Sequence, residues 1–471
     1  MPGRFLTFFS PIARIMPEVK APEKRIGVRE KLVWTALVVV VYLIMTEIPL
    51  FGAIRGEGDP FYAMRVIFAS AQGSLMELGI QPIVTAGLIM QLLASSKIIG
   101  FDNSNPTDRA LLAGVTKFFS ILMTSILAII YIFSGVYGTL TLAKQVALFI
   151  QLFVAGLVVI LLDEILQKGW GFGSGISLFI AAGVAQKIFW NFLCPLPFEE
   201  DGKSLGALIA YIQAILKGES PLNSFLYRLN PNAPTMLGLV ATVVVFAIVV
   251  FLESLKINIP ISYAKFRGFG GNYPIKFLYI SNIPVILVSS LFMDVYFVSQ
   301  IIWSRFNMDG TNPWLSWLGV FKDNQPISGL AMYLTSPRNF QQFLDNPFRA
   351  LVYTCFMVGA CAIFAIVWLE VSGMDPRSVA QQLVDSGMQI SGFRRSVGPI
   401  QNILEKYIPT VTILGAITVG FVASFSDFLG VYGTGMGILL TVGILQQLYQ
   451  AMAKEQLMEM FPLMGRFLGN M

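Results

Sequence analysis

The chain has 471 residues, of which 55% are hydrophobic and 13% charged, with a net charge of +5, no histidine and a mean hydropathy of +0.70. That balance excludes a soluble globular domain and describes an all-α polytopic membrane protein. Without histidine, and with only Cys194, Cys355 and Cys361, there is no donor set for a zinc site, a haem ligand pair or a histidine-based triad, so no metal, cofactor or catalytic residue is expected.

Residues 1–31 form a basic, proline-punctuated leader containing Arg4, Arg14, Lys20, Lys24, Arg25, Arg29 and Lys31. The apolar residues between Phe5 and Met16 predict an amphipathic helix on the membrane surface. No small-residue cleavage pattern follows the first apolar run, so the leader is expected to be retained rather than removed as a signal peptide. Ten spans are predicted, over 32–52, 75–97, 111–134, 145–167, 171–194, 235–257, 281–304, 349–371, 408–429 and 434–453. Between the first two lies an extra apolar piece, 60–70, too short to cross a bilayer, which takes ~20 residues. The second span keeps Glu77, Gln81, Pro82, Thr85 and Gln91 among its apolar residues. A helix facing lipid all round would not carry them, so the half-length piece is expected inside a protein-lined cavity that this span helps to form.

With the leader in the cytosol, 21 of the 32 Lys and Arg residues fall on cytosolic stretches, which places both termini there. The chain then divides into a half over 32–194, a connection on the far side over 195–234, a half over 235–453 and a cytosolic tail over 454–471. Cytosolic loops at 258–276 and 372–406 carry Lys265, Arg267, Arg394 and Arg395, and two basic projections on one face suit a negatively charged partner. Five spans per half is an odd number, so any homology between halves is an inverted repeat. Residues 79–84 (GIQPIV) match 281–286 (SNIPVI), and 173–178 (GSGISL) match 433–438 (GTGMGI). The GFGSG run is not a phosphate loop, because no Lys-Ser/Thr follows and it opens directly into a spanning helix.

The ordered motifs MPE at 16–18, DPFY at 59–62, LMELGI at 75–80, GLIMQLLA at 87–94, LLDEILQKG at 161–169, GSGISLFIA at 173–181, YPIK at 273–276, SNIP at 281–284 and EVSG at 370–373 cover essentially the whole chain. Together they resemble the pore-forming alpha subunit of the Sec protein translocon, in the eukaryotic endoplasmic-reticulum branch of the SecY family. The resemblance implies a clam-shell of two five-helix halves that passes secreted chains across the membrane and releases transmembrane segments sideways into lipid.

It also implies that 60–70 is a plug, with Pro60, Phe61, Tyr62, Met64, Arg65, Val66 and Ile67 sealing the lumenal side. A pore ring carries over by motif onto Ile80, Val84, Ile176, Ile180, Ile286 and Leu440. Ile80 and Val84 are four apart, as are Ile176 and Ile180, so each pair shares a helix face. The repeat matches pair Val84 with Ile286 and Ile180 with Leu440. Branched apolar side chains at a narrow waist gate by dewetting.

A lateral gate is expected between the second and third spans on one side and the seventh and eighth on the other, with Thr85, Gln91 and Asp294 as a polar cluster. Asp294 replaces the family's usual amide, and Gln72 stands where relatives have a further basic residue. Glu370 is a possible partner for Arg65. The implied partners are the small beta and gamma translocon subunits, the ribosome (its rRNA and exit-region proteins), signal sequences and nascent chains, post-translational translocation partners, and the lipid bilayer. From physics alone the rival is a secondary transporter with inverted five-helix repeats. An intramembrane enzyme is weaker, because capping or interfacial placement near helix ends explains Asp163, Glu164 and Asp427.

Overall fold

The structure is a computed structural model that describes residues 8–9, 11, 16–24, 26–53, 65–66, 68–95, 106–133, 137, 140–198, 202–230, 233–263, 270–280, 283–307, 312–322, 325–337, 340–385, 388–390 and 396–460. Helices lie at all ten predicted span positions. The first half holds α1 (Val28–Glu47), α2 (Gln81–Ser95), α3 (Pro106–Phe133), α4 (Leu142–Ile165) and α5 (Gly175–Leu193). On the connection between the halves sit α6 (Ala207–Leu216) and α7 (Pro221–Leu226). The second half holds α8 (Met236–Ser254), α9 (Ile283–Phe306), α10 (Pro347–Val371), the amphipathic α11 (Pro376–Asp385), α12 (Val397–Phe428) and α13 (Gly435–Met460).

Among the described residues, eight helices are long and apolar enough to cross a membrane: α3, α4, α5, α8, α9, α10, α12 and α13. The other two depart for stated reasons. α1 is 20 residues long but has Arg29, Glu30 and Lys31 in its first turn. α2 has only 15 residues, because the chain over 75–80, predicted as part of the span, is a series of turns. Pro82 explains where that helix starts: at its second position a missing N–H costs nothing. Pro284 occupies the same second position in α9.

The predicted loop 258–276 is instead a hairpin, β1 (Lys256–Tyr263) antiparallel to β2 (Gly270–Lys276), with Ile259 opposite Tyr273. The predicted loop 372–406 contributes α11, the first three turns of α12 and β5 (Met388–Ile390), which extends the sheet in the order β2-β1-β5 through Ile261↔Ile390 and Tyr263↔Met388. The two loops are therefore one unit. A smaller hairpin, β3 (Val320–Lys322) with β4 (Gln325–Ser328), lies between α9 and α10.

Helices α1 to α5 pack on one another in one group, and α8 to α13 in a second. The groups meet along two seams. At one, α5 packs on α13, and Gly433 and Gly437 face Val184. At the other, α2 touches α10, and Tyr131 of α3 meets Phe297 of α9 edge-on at 5.2 Å between ring centroids. One continuous buried apolar cluster runs through both groups, while rows of aliphatic side chains on α1, α4, α8 and α10 stay exposed for lipid.

Of the predicted tail, residues 454–460 are described, and they extend the last helix. α13 continues to Met460, so that Glu459 Oε1 accepts the Val28 N–H at 2.8 Å and Glu455 pairs with Lys31 at 2.8 Å. Helix α1 has no side-chain cap of its own, and this distant carboxylate fills that role at the positive end of its dipole. The start of α1 and the end of α13 thus lie on one side of the molecule. The leader lies on the same side. Pro17 O accepts from Lys117, Glu18 pairs with Lys168, and Lys20 O accepts the Trp170 Nε1–H at 2.8 Å, which straps 16–20 across α3 and the turn after α4.

Candidate functional site

The centre of the molecule is apolar. Ile80, Ile180 and Leu440 are buried, and Val84, Ile176 and Ile286 are half-buried against the same cluster. They come from α5, α9, α13 and the stretch that enters and begins α2, so four separate segments supply six aliphatic side chains. Ile80 closes the turns that precede α2, where its N–H donates to Phe68 O at 2.8 Å. Gly79 makes that approach possible, with φ at +54° and Phe68 O lying where a Cβ would be.

Of the predicted plug, Arg65 and Val66 are described; Pro60, Phe61, Tyr62, Met64 and Ile67 lie outside the described residues. Both described residues are buried in the centre. Val66 is seated on Gly437 of α13, where an added Cβ would lie 2.7 Å from Val66 Cγ1 and 3.0 Å from Val184 Cγ2 of α5. Ala69, just after, accepts a hydrogen bond from the Tyr42 hydroxyl of α1 at 3.1 Å.

Arg65 corrects an expectation. Its partner is Glu77, with Nη2 to Oε1 at 2.7 Å and side-chain exposures of 2% and 0%. Glu370 is exposed on α10. Glu77 also accepts the Gly73 N–H, and Tyr137 from the turn between α3 and α4 sits beside it. Burial and the nearby carboxylate raise the Tyr137 phenol well above its ordinary value. The sequence marked Glu77 as out of place in an apolar span, but the signal for its partner was only a shared unexplained charge twelve residues upstream.

The predicted polar cluster is not drawn together in the same way. Thr85 is half-buried, while Gln91 and Asp294 are exposed on α2 and α9. No hydrogen bond joins Thr85 to Asp294 among the described residues. The contact across that seam is aromatic, through Tyr131 and Phe297. Lys265, Arg267, Arg394 and Arg395 lie outside the described residues. Gln72 is half-buried in the turns before α2. Among the described residues no group of His, Cys, Asp or Glu is arranged to hold a metal ion.

Sequence reasoning also missed a pair of matched polar contacts. The Phe172 N–H donates to Thr35 Oγ1 of α1 at 3.0 Å, and the Tyr432 N–H donates to Thr242 Oγ1 of α8 at 2.9 Å. Phe172 and Tyr432 stand at the same offset before the two matched glycine runs. The acids at the ends of the fourth and ninth spans are caps, as expected: Asp163 Oδ1 accepts the Ile176 N–H at 3.1 Å, and Asp427 Oδ1 accepts the Gly435 N–H at 2.9 Å.

Comparison with known proteins matches residues 74–449 to the SecY family and residues 40–73 to the plug domain of Sec61p. The protein translocase subunit SecY of Pyrococcus furiosus is 43% identical over 473 residues, covering 97% of this chain and 98% of that protein. Its counterpart from Pyrococcus horikoshii is 42% identical over 463 residues, covering 96% of each. A solved structure of a protein conducting channel superposes with a TM-score of 0.80 at 37% identity, over 96% of this chain and 98% of that one. Sec61 in the canine ribosome-channel complex from the endoplasmic reticulum superposes with a TM-score of 0.78 at 37% identity and the same coverage.

Proposed function

The chain belongs to the SecY family of protein translocase channels, and from that premise we propose that it is a pore-forming alpha subunit with ten spans in two inverted halves, both termini cytosolic. Its work is conduction rather than catalysis. Polypeptides pass through a waist formed by Ile80, Val84, Ile176, Ile180, Ile286 and Leu440, and the segment 60–70 closes it. The observation that supports this reading is the burial of Val66 in the same apolar cluster as Ile80, Ile180 and Leu440, against Gly437 of α13, with the preceding Arg65 buried on Glu77. Six aliphatic side chains exclude hydrated ions when closed and have no fixed hydrogen-bond demands, so they yield to any sequence. A solute transporter needs convergent polar groups at the midplane; here the six ring positions are aliphatic and the buried Arg65 and Glu77 are paired with each other, so that reading is set aside.

The test is photocrosslinking from Val84 or Ile286 to a stalled nascent chain. Crosslinks at these positions are expected, and their absence at every ring position overturns the channel reading.

The matched bonds at Phe172 and Tyr432, and at Asp163 and Asp427, support the inverted repeat. The seam between α2/α3 and α9/α10 is the proposed lateral gate, with Thr85, Gln91 and Asp294 on its two sides. The resemblance favours the endoplasmic-reticulum branch, whereas the two Pyrococcus relatives are archaeal. A channel entered from the cytosol serves export and membrane insertion in either membrane, and fractionation of the native cell decides between them.

For partners we infer the small beta and gamma subunits, signal sequences and the ribosome. The pairing of β1 with β5 supports ribosome docking, because it gathers the two basic loops into one projection. Phosphate-rich rRNA would be bound there in a salt-dependent way. Reversing Lys265, Arg267, Arg394 and Arg395 together should abolish ribosome binding at physiological salt, and intact binding would remove these loops from the contact.

A further inference from the structure

The fifth and tenth span helices begin with backbone N–H groups that have no partner within their own helix, in surroundings where water is scarce. Neither α5 nor α13 meets this need with a single local cap. In α5, Ser174 does not cap the helix; its hydroxyl donates to Asp163 Oδ1 at 3.2 Å, beside the Ile176 N–H on the same oxygen, while Gln167 holds Oδ2 at 2.7 Å. In α13, Asp427 Oδ1 takes the Gly435 N–H and Thr434 Oγ1 takes the Gly437 N–H at 3.1 Å. The turn entering each helix is then held from a third helix, by Thr35 of α1 or Thr242 of α8, and each of these hydroxyls donates to the carbonyl four residues back in its own helix.

Each half thus builds the same collar, from an aspartate of its fourth helix and a threonine of its first. The first helical residue is glycine in both because the aspartate-bearing helix comes too close for a Cβ: Asp163 Cα would lie 2.6 Å from one at Gly175, and Ser426 crowds one at Gly435. Two collars of the same design at the two ends of a membrane bundle fix how far α5 and α13 project toward the centre. Ile180 and Leu440 each stand five residues beyond their collar, about 7–8 Å along the helix. The amide that Asp163 holds belongs to Ile176.

We propose that Asp163 and Asp427, with Thr35 and Thr242, are positioning residues that set the closed width of the pore ring. The assignment rests on the channel reading above. It goes beyond that reading by placing control of the waist in groups that never touch the translocating chain.

The test uses the full-length chain with its small subunits in proteoliposomes, in three forms: Asp163→Ala with Asp427→Ala, the corresponding Asp→Asn pair, and Thr35→Val with Thr242→Val. Two quantities are read: ion leak of the idle channel, and translocation of a substrate with a shortened signal core relative to the intact signal. Losing a hydrogen bond to a charged acceptor should loosen the ring enough to raise both about tenfold in the alanine pair. The asparagine pair keeps an acceptor oxygen and should return most of the way, and the valine pair should lie between.

A general folding defect lowers translocation with both signals and leaves their ratio unchanged, so that result overturns the proposal. Wild-type leak and ratio in the alanine pair, at equal amounts of folded channel, overturn it too. Crosslinks from Val84 and Ile286 to a nascent chain separate the two levels. If they form while the collar variants are silent, only the positioning role fails; if they form nowhere on the ring, the channel reading fails with it.

Discussion

A guanidinium and a carboxylate with almost no solvent contact hold Arg65 to Glu77, and such a pair is worth little to stability until one member is removed. Glu77→Ala strands a buried cation, at a cost of about 3–5 kcal/mol. Thermal unfolding of the purified protein should show a clear loss, and the idle channel should leak. Exchanging the charges, Arg65→Glu with Glu77→Arg, should recover part of both; a swap no better than either single variant means that the pair does not hold the segment. Arg65 and Val66 are neighbours in sequence but are gripped by different halves, one by the entry to α2 and the other by α13. That division was hidden in the sequence. A lone charge in an apolar stretch announces that it needs a partner, and nothing in its spacing says which.

At the scale of elements, the legible part was whatever an apolar run of sufficient length announces, and the start and end of most spans lie within a few residues of expectation. The illegible part was how a segment enters the membrane. Residues 75–80 have the composition of a span but fold as turns, because Gly79 needs a left-handed backbone and Pro82 cannot sit deeper in a helix. Strand β5 is not legible in the sequence because its pairing with β1 joins segments more than a hundred residues apart, which no local pattern reports.

Two element-scale predictions follow from seams that are visible. Joining Tyr131→Cys to Phe297→Cys with a short bismaleimide, in a chain lacking Cys194, Cys355 and Cys361, should cut insertion of transmembrane segments to below about a tenth of the uncrosslinked rate if this seam is the proposed lateral gate. Undiminished insertion would move the gate elsewhere. The leader makes a pH prediction. The hydrogen bond and charge of Lys168 hold the Glu18 carboxyl below its ordinary value. A lowered folded value means that the docking contribution is complete above about pH 4.3 and is lost as the pH falls through the lowered value. Because Glu18 is largely exposed, salt should weaken the strap as well. Cleavage within residues 1–31 should quicken for an acid protease near pH ~3, and for trypsin at neutral pH in ~1 M salt. Equal rates under all conditions would show that the strap contributes nothing.

On the scale of the whole molecule, the two halves are connected twice on the side where α5 meets α13. One connection is the chain itself, over 195–234, with α6 lying against both α5 and α8. The other is the clasp of Glu455 and Glu459 on Lys31 and Val28, far from the first along the helix axis. Two bodies fastened at the top and bottom of one edge behave as a door hung on two pins. Such an arrangement allows a single axis of swing, and the edge opposite the two fastenings is the one where Tyr131 meets Phe297. If the halves part along the proposed lateral gate, the direction of parting is set by two carboxylates in the last turns of α13 and by the connection between the halves, rather than by the residues at the gate itself.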